Sequence, residues 1–206
     1  VANGLIRPGV LESELSAEIH ALARERFDVR RHWHKRIVRS GPNALLGYYD
    51  EPPDRRLAED DSVYLDFGPV FNKWEADFGR SYVLGEDPRK HKLVADLSVA
   101  FRKGKQRYLD DPEATGGSMY DYVCELAKEA GWDFGGPTAG HLIGHFPHEH
   151  APGKPGRFSI RHGNQTRIRE LDANGAPRHW ILEIHLVDRA NQFGGFLEEL
   201  LTIGPA

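Results

Sequence analysis

The sequence predicts an α/β fold of the α+β kind, with helices packed on a largely antiparallel sheet. Three stretches, residues 10–28, 87–112 and 118–131, have apolar residues at helical spacing with charged residues between them. Two other stretches, residues 62–84 and 180–201, contain apolar runs on both sides of a turn and are typical of β-hairpins. Local signals therefore favour helices and hairpins in the same chain.

The predicted helices have recognisable ends. Pro8-Gly9 precedes the first helix, and Asp87-Pro88 begins the second because proline suits a first helical turn. Ser118 is the expected N-cap of the third helix, and Gly131 is its expected stop. The apolar face of the first helix is expected to consist of Leu15, Ile19, Leu22 and Phe27.

Composition narrows the class of protein. The chain has 206 residues, 39% of them hydrophobic and 28% charged, which is typical of a globular protein with a real core. A net charge of −4 argues against a nucleic-acid partner. No apolar run approaches the roughly 18–20 residues of a membrane span, and no signal peptide opens the chain. The single cysteine, Cys124, fits a reducing compartment, so a cytoplasmic location is expected.

Two carboxylates mark the first hairpin. Asp66 lies in the apolar run 63–67, where an uncompensated carboxylate is costly. A hairpin about Phe71-Asn72 would place Asp66 opposite Asp77, and opposed side chains are roughly 5 Å apart. Such carboxylates repel unless they share a proton or a cation. The alternative is a pair of solvated aspartates at a hairpin rim.

The second hairpin repeats the arrangement. Glu183 lies in the apolar strand 180–187, and a hairpin about Ala190-Asn191 would set it opposite Glu198. Each half of the chain then has a Pro/Gly-rich break, a helix, an isolated histidine and a hairpin with two carboxylates. The first set is residues 8–27, His34, Asp66 and Asp77, and the second is residues 112–131, His141, Glu183 and Glu198. This pattern predicts an internal repeat.

The combined constellation has a definite chemistry. Two aspartates, two glutamates and one histidine form an oxygen-rich site that suits two divalent ions of the Mn, Fe, Co or Zn group. Two such ions lower the pKa of a shared water and polarise a carbonyl, which points to hydrolysis of an amide bond. Spacing alone leaves a second interpretation open, in which these strand carboxylates bind no metal.

Three groups of residues resemble a known family. They are the run from Asp66 to Asp77 with Phe78-Gly79-Arg80 after it, the run Gly140-His141-Leu142-Ile143-Gly144, and the pair Glu183 and Glu198. Together they resemble the pita-bread metallopeptidases, which include methionine aminopeptidase, aminopeptidase P, prolidase and the metal-free creatinase. The resemblance covers residues 8–203 and implies a curved antiparallel sheet with helices outside and an internal pseudo-twofold repeat. It also implies one catalytic domain over residues 1–206, without the N-terminal domain of longer members, and a homodimer.

The resemblance implies roles for single residues. Asp66 would hold one metal ion, Asp77 and Glu198 would bridge both ions, and His141 and Glu183 would hold the other. Glu183 would also carry the proton of the attacking water. His148 would contact substrate and the developing oxyanion, and His34 would line the substrate pocket. For both histidines the alternative is a structural or surface role. His145, His150 and His185 receive no role.

Some positions depart from the family pattern. Ile184-His185 follows Glu183 where most members have a proline, and Phe196 stands where the aminopeptidase P branch has arginine and methionine aminopeptidase has glutamine. Glu199 beside Glu198 could be the last ligand instead.

The resulting interpretation is a metal-dependent exopeptidase, closest to the aminopeptidase P and prolidase branch, that acts on peptides or Xaa-Pro dipeptides. Manganese is the first choice of metal, with Co, Zn or Fe as alternatives.

Two other functions remain open at this point. One is a creatinase-like hydrolase that cleaves a C–N bond in a small molecule, which the altered positions around Glu183 and Glu198 favour. The other is a pita-bread module that binds a peptide or protein without catalysis. The complete set of five ligands argues against both.

Overall fold

The computed structural model of the protein describes residues 4–203. Its helices are α1 (Glu12–Phe27), α2 (Pro88–Asp110) and α3 (Gly116–Glu129), with a short 3-10 helix at Gly41–Leu45. Its strands are β1 (Ile37–Ser40), β2 (Ser62–Phe67), β3 (Val70–Phe71), β4 (Trp74–Glu75), β5 (Phe78–Val83), β6 (Asp133–Phe134), β7 (Leu142–Ile143), β8 (His179–Asp188) and β9 (Phe193–Leu200). No helix within residues 4–203 is long and apolar enough to cross a membrane.

The strands form one large sheet with antiparallel pairing. Its order is β1-β2-β5-β9-β8-β6, and β7 also pairs with β8. The first predicted hairpin supplies β2 and β5, and the second supplies β8 and β9, so the two hairpins meet where β5 pairs with β9. Strands β3 and β4 form a small separate sheet at the tip of the first hairpin.

Side-chain alternation along the strands divides the molecule into layers. On β8, Leu182 and Ile184 point into the large apolar core with α2 and α3, whereas Glu183 between them points to the other face. On β2, Leu65 packs in the core with α1, and Asp66 faces away from it. The helices therefore cover one face of the sheet, and the carboxylates of both hairpins lie on the opposite face.

The turn of the first hairpin differs from the prediction. Strand pairing joins Asp66 to Gly79 and Val70 to Glu75, so the hairpin turns at Asn72-Lys73 and not at Phe71-Asn72. Asn72 and Lys73 have φ of 47° and 71°, the positive pair of a tight type I′ turn, which asparagine accepts readily. The predicted strands 62–70 and 74–84 are accordingly broken into β2 with β3 and β4 with β5. Asp77 is thus not directly opposite Asp66.

Two helix details also correct the prediction. The third helix begins two residues before Ser118: Thr115 is its N-cap, its Oγ1 accepts from the Ser118 backbone N–H at 3.1 Å, and Ser118 Oγ accepts from the Thr115 N–H. Gly131 ends the helix with φ of 85°, as predicted. Phe27 does not belong to the packed face of α1, because 67% of it is exposed at the last turn of that helix.

Candidate active site

A cleft of about 710 Å³ opens on the face of the sheet that the helices leave free. It contains every residue for which the sequence predicts a site role: His34, Asp66, Asp77, His141, His148, Glu183 and Glu198. Aromatic residues contribute much of the remaining wall: Trp33, Tyr48, Tyr49, Tyr64 and Phe196.

Strand register brings the carboxylates together. Glu183 of β8 lies directly opposite Glu198 of β9, which confirms the predicted second hairpin. Glu198 is also opposite Gly79 of β5, and Gly79 is in turn opposite Asp66 of β2. Asp77, two residues before Gly79, reaches the same face, because side chains two apart on a strand point the same way. The shift in the first turn therefore moves the partner of Asp66 by two residues, from Asp77 to Gly79. A shift of two keeps the same side chains on each face, so both aspartates stay in the cleft.

His141 reaches the site because its backbone runs beside β8. The Glu183 backbone N–H donates to the Ala139 carbonyl at 3.0 Å, and the Ile181 N–H donates to the His141 carbonyl at 3.0 Å. A side chain on Gly140 would lie 2.2 Å from the Ile181 carbonyl oxygen, and φ there is 135°, so only glycine permits this approach. The His141 Nε2 then lies 3.5 Å from both Asp77 Oδ2 and Glu183 Oε1.

His34 lies on the other side of the same carboxylates. Its Nε2 is 3.1 Å from Asp77 Oδ1 and 3.6 Å from Asp66 Oδ1, and its Nδ1 is 2.6 Å from the Lys35 carbonyl oxygen. The sequence predicted a pocket-lining histidine. The structure places the ring in the pocket wall with both nitrogens next to protein oxygens.

The clustered charges shift several pKa values. Burial, and then the charge of Asp77, raises the pKa of Asp66 and of Glu198. Burial alone would raise the pKa of Asp77 too, but hydrogen bonds from His141 and His34 lower it. Burial works against protonated His141, yet the hydrogen bond to Asp77 and the charge of Glu183 raise its pKa to about 9. Without a cation, these shifts favour protons on Asp66 and Glu198 over a cluster of ionised carboxylates.

The donor set fits divalent metal ions. Ligand atoms of His34, Asp66 and Asp77 lie within 4.8 Å of one another, and so do those of Asp77, His141 and Glu198. Asp77 belongs to both groups. Among the described residues, Asp66 Oδ1 and Glu198 Oε2 are buried oxygens without a hydrogen-bond partner, which is costly unless a cation binds them. Oxygen donors with a few imidazoles suit first-row divalent ions.

The choice between the two adjacent glutamates is clear from the structure. The Glu198 side chain is buried in the cleft. Glu199 points the other way, where its Oε1 accepts from Arg80 at 2.5 Å and the side chain is 42% exposed. Glu198 is therefore the one positioned to serve as a ligand.

His148 stands at the edge of the cleft with its ring fixed. Its Nδ1 donates to Glu75 Oε2 at 2.8 Å, and its backbone N–H donates to Glu75 Oε1 at 3.0 Å. Its ring is nearly parallel to that of His141, with centroids 6.2 Å apart. In the described part of the chain Nε2 of His148 has no hydrogen-bond partner, so this atom can meet a substrate.

Three histidines without a predicted role have structural surroundings. His185 is buried on β8, and its Nε2 donates to the Ala44 carbonyl at 2.9 Å. Burial lowers the pKa of His185 to about 4, so the ring is neutral near pH 7. His145 packs edge-on against Trp74 with centroids 4.1 Å apart, and His150 packs against His148.

Sequence reasoning missed two residues that shape the site. Glu75 holds His148, and nothing in the run Lys73-Trp74-Glu75 distinguishes it from a surface glutamate of a hairpin. Trp33 packs edge-on against three site histidines, with ring centroids 4.5, 5.2 and 5.5 Å from His34, His141 and His148. Its position directly before His34 was the available signal.

Comparison with known proteins identifies the family. The model of metallopeptidase family M24 matches residues 1–173. The chain belongs to metallopeptidase family M24. The match stops before Glu183 and Glu198, so their place in the site rests on the geometry described above.

This M24 chain is similar to several peptidases in sequence or in fold. A Mycoplasma genitalium protein named as an Xaa-Pro aminopeptidase is 28% identical over 119 residues, which are 55% of this chain and 32% of the relative. The prolidase of Thermococcus sibiricus superposes with a TM-score of 0.74 at 20% identity, over 97% of this chain and 53% of that one. The methionine aminopeptidase of Rickettsia prowazekii gives 0.68 at 17% identity, over 96% and 88%.

These likenesses confirm the predicted pita-bread fold, a mixture of helices and antiparallel sheet. The chain spans about half the length of the prolidase and about a third of the Mycoplasma protein. The internal repeat, and the assignment of residues 1–206 to one catalytic domain, stay predictions.

Proposed function

We propose that this chain is a dinuclear metallopeptidase that cleaves the amide bond after an N-terminal residue, with Xaa-Pro bonds as the first substrate class. The prolidase and Xaa-Pro aminopeptidase named above support the substrate class. The observation that carries the proposal is that Asp66, Asp77, Glu183 and Glu198 converge in one cleft. Two of their own oxygens, Asp66 Oδ1 and Glu198 Oε2, are buried without a hydrogen-bond partner.

Charge balance supports two ions rather than one. Four ionised carboxylates carry four negative charges, which two divalent ions neutralise. One ion would leave buried negative charge that the protein could remove only by keeping protons on the carboxylates. We assign Asp66, Asp77, His141, Glu183 and Glu198 as the residues that would hold the ions, and Asp77 and Glu198 would contribute to both. The predominance of carboxylate oxygen favours Mn²⁺, and Co²⁺, Zn²⁺ and Fe²⁺ also suit the set.

When bound, the ions would polarise the scissile carbonyl and make a water nucleophilic near neutral pH. The protein's own groups then act on protons and charge. The carboxylate of Glu183 accepts a proton from the attacking water and delivers it to the leaving nitrogen. Nε2 of His148 faces the cleft while Nδ1 donates to Glu75. In its doubly protonated form the ring would donate a hydrogen bond from Nε2 to the oxygen on which negative charge develops.

The cleft wall suits a small peptide with an apolar residue. Tyr64 and Phe196 pack with centroids 5.4 Å apart on the floor, and Tyr48 and Tyr49 pack together at the mouth. Phe196 makes the wall beside Glu198 apolar. Among the described arginines and lysines, Arg189 lines the cleft. Its Nε lies 3.6 Å from Asp133 Oδ2 and its side chain is 58% exposed, so the guanidinium has solvent-facing N–H groups for a substrate carboxylate.

Metal content and hydrolysis together test the proposal. Protein purified without chelator is expected to contain about two equivalents of transition metal by elemental analysis. It is also expected to release the N-terminal residue from Xaa-Pro dipeptides or from peptides that begin with Xaa-Pro. Asp77→Ala is expected to lose both ions and all activity, whereas Asp110→Ala, which changes an exposed aspartate on α2, should keep both.

Other outcomes would overturn the proposal in different ways. Protein that binds no metal after reconstitution and hydrolyses no peptide would favour a binding module. Hydrolysis of creatine-like compounds but not of peptides would favour the creatinase-like function.

A further inference from the structure

We infer that His34 is a sixth protein ligand of the metal centre, so that each of the two ions is bound by one imidazole. This inference rests on the proposed function, and it changes the ligand set from one histidine to two. It gives the ion held by Asp66 and Asp77 a nitrogen donor of its own.

The hydrogen bond at Nδ1 determines which atom of His34 can bind a metal. Nδ1 lies 2.6 Å from the Lys35 carbonyl oxygen, which can only accept, so Nδ1 carries the proton. In a neutral ring Nε2 then has a free lone pair. That lone pair faces Asp77 Oδ1 at 3.1 Å and Asp66 Oδ1 at 3.6 Å, and ionised carboxylate oxygens offer only lone pairs. The arrangement is stable when a cation lies among the three atoms or when the ring gains a second proton.

The separations agree with shared coordination. Two donors bonded at about 2.1 Å to one ion lie about 3.0 Å apart at right angles and about 3.4 Å apart in a tetrahedral arrangement. The His34 distance of 3.1 Å to Asp77 falls in this range. Its distance of 3.6 Å to Asp66, and the two distances of 3.5 Å from His141 Nε2 to Asp77 and Glu183, lie just above the range.

His34 and His141 have the same kinds of partner at their two ring nitrogens. In each case Nδ1 lies next to the carbonyl oxygen of the following residue. The distance is 2.9 Å from His141 to Leu142 and 2.6 Å from His34 to Lys35. Metal-binding histidines commonly donate their other ring N–H to a carbonyl in this way, which fixes the tautomer and the ring orientation. The predicted internal repeat pairs these two histidines, so each half of the chain would supply one imidazole.

Neighbouring groups hold the His34 ring in one position. Its side chain is only 6% exposed, and the neighbouring Trp33 is held by a hydrogen bond from Nε1 to the Ala76 carbonyl at 3.1 Å. A side chain on Gly68 would lie 2.2 Å from His34 Cδ2 and 2.4 Å from Nε2. The absence of a side chain at Gly68 therefore leaves the space that the ring occupies. A histidine that bound substrate through Nε2 would first have to leave Asp77.

X-ray absorption spectroscopy of the Zn²⁺-loaded wild-type protein tests the inference without any mutation. Imidazole ligands are counted from their characteristic multiple scattering, and metal equivalents are measured on the same sample. We expect two ions and two imidazoles, an average of one imidazole per ion. An average of one half would mean that His141 alone binds metal, and it would overturn the inference while leaving the proposed function intact.

Variants give a second test. His34→Gln should weaken the binding of one of two Zn²⁺ ions, measured by calorimetry on chelator-treated protein, by more than the roughly 10–100-fold that loss of a ligand's hydrogen-bonding partner costs. His148→Gln is the matched control, because its ring nitrogens belong to neither donor cluster, and it should bind both ions as the wild type does. Circular dichroism establishes that each variant is folded.

The remaining outcomes separate the two ideas. Two ions bound to His34→Gln with affinities within about threefold of the wild type would overturn the inference and identify His34 as a protonated pocket residue. A wild-type protein that binds no Zn²⁺, Co²⁺ or Mn²⁺ would overturn the proposed function and this inference together.

Discussion

The Glu75 carboxylate fixes His148 at both its ring and its backbone. Oε2 accepts from the ring Nδ1 at 2.8 Å, and Oε1 accepts from the backbone N–H of His148 at 3.0 Å. Oε2 also accepts from the Gly144 N–H at 3.2 Å, and the Glu75 side chain is only 1% exposed. A residue of the first hairpin therefore positions a histidine that comes from the second half of the chain.

Glu75→Gln should lower kcat about 10- to 100-fold with little change in KM or metal content. The amide keeps the size of the side chain but has one accepting oxygen for the three N–H groups that the carboxylate binds, so the His148 ring is held less firmly. Steady-state kinetics and elemental analysis measure kcat, KM and metal content. The exposed Glu59→Gln is the matched control. A fall in stability with an unchanged kcat would show that Glu75 is only structural.

Glu183→Gln should abolish most hydrolysis without unfolding the protein. The amide can still coordinate through its oxygen, but it cannot accept and return the proton of water, a role commonly worth roughly 10²–10⁴-fold in rate. The measurements are kcat, metal content and the circular dichroism spectrum of the variant. Turnover near the wild-type rate would reject Glu183 as the proton carrier.

Gly68→Ala should destabilise the protein by about 1–3 kcal/mol, because the new methyl group would overlap His34 and the Trp33 Nε1, both within 2.4 Å. Urea denaturation measures the free energy of unfolding. Gly47→Ala is the control in the same cleft, since its methyl group would find its nearest neighbour, Asp50 Oδ2, at 3.7 Å. Equal stability of the two variants would contradict the close packing of His34.

Asp188→Asn should cost about 1–2 kcal/mol of stability at pH 7. Burial tends to raise the pKa of Asp188, but hydrogen bonds from Arg89 and Asn191 outweigh it and lower the pKa below its usual value near 3.8. A lowered folded-state pKa means that the stabilisation is present above the unfolded-state value and is lost as the pH falls through the folded-state value.

Urea denaturation at several pH values tests this. The difference between wild type and Asp188→Asn should be constant from pH 5 to 8 and should shrink below about pH 3.8. The exposed Asp110→Asn should show no such difference. A difference that does not change with pH would mean that packing, and not charge, makes Asp188 important to the β8–β9 turn.

Much of the candidate site could be predicted because isolated carboxylates stand out in apolar strands. Asp66 and Glu183 interrupt runs that otherwise bury both faces, and such groups need compensation wherever the strand is placed. The second hairpin was predicted with its correct register, since its turn lies midway between Glu183 and Glu198. The first hairpin was misplaced by one residue, because Phe71-Asn72 and Asn72-Lys73 are both plausible turns and only the observed backbone conformation selects between them.

Contacts between segments distant in sequence could not be predicted. Nothing near Glu75 in sequence indicates His148, which is 73 positions away, and nothing near His34 indicates Asp77, which is 43 positions away. Phe27 shows the same limit in the opposite sense: its spacing fits the apolar face of α1, but 67% of the residue is exposed at the last turn of that helix.

The sequence by itself determined the three helices, the two hairpins that bear carboxylates, the alternation that separates core from cleft, and the residue types of the candidate metal site. These follow from local periodicity and from the cost of burying charge, both of which act over a few residues. Only the tertiary structure decided that Glu198 and not Glu199 faces the cleft, that Glu75 holds His148, and that His34 approaches the aspartates as closely as it does. Those relationships depend on strand pairing across the whole sheet, and such pairing is set by the packing of distant segments.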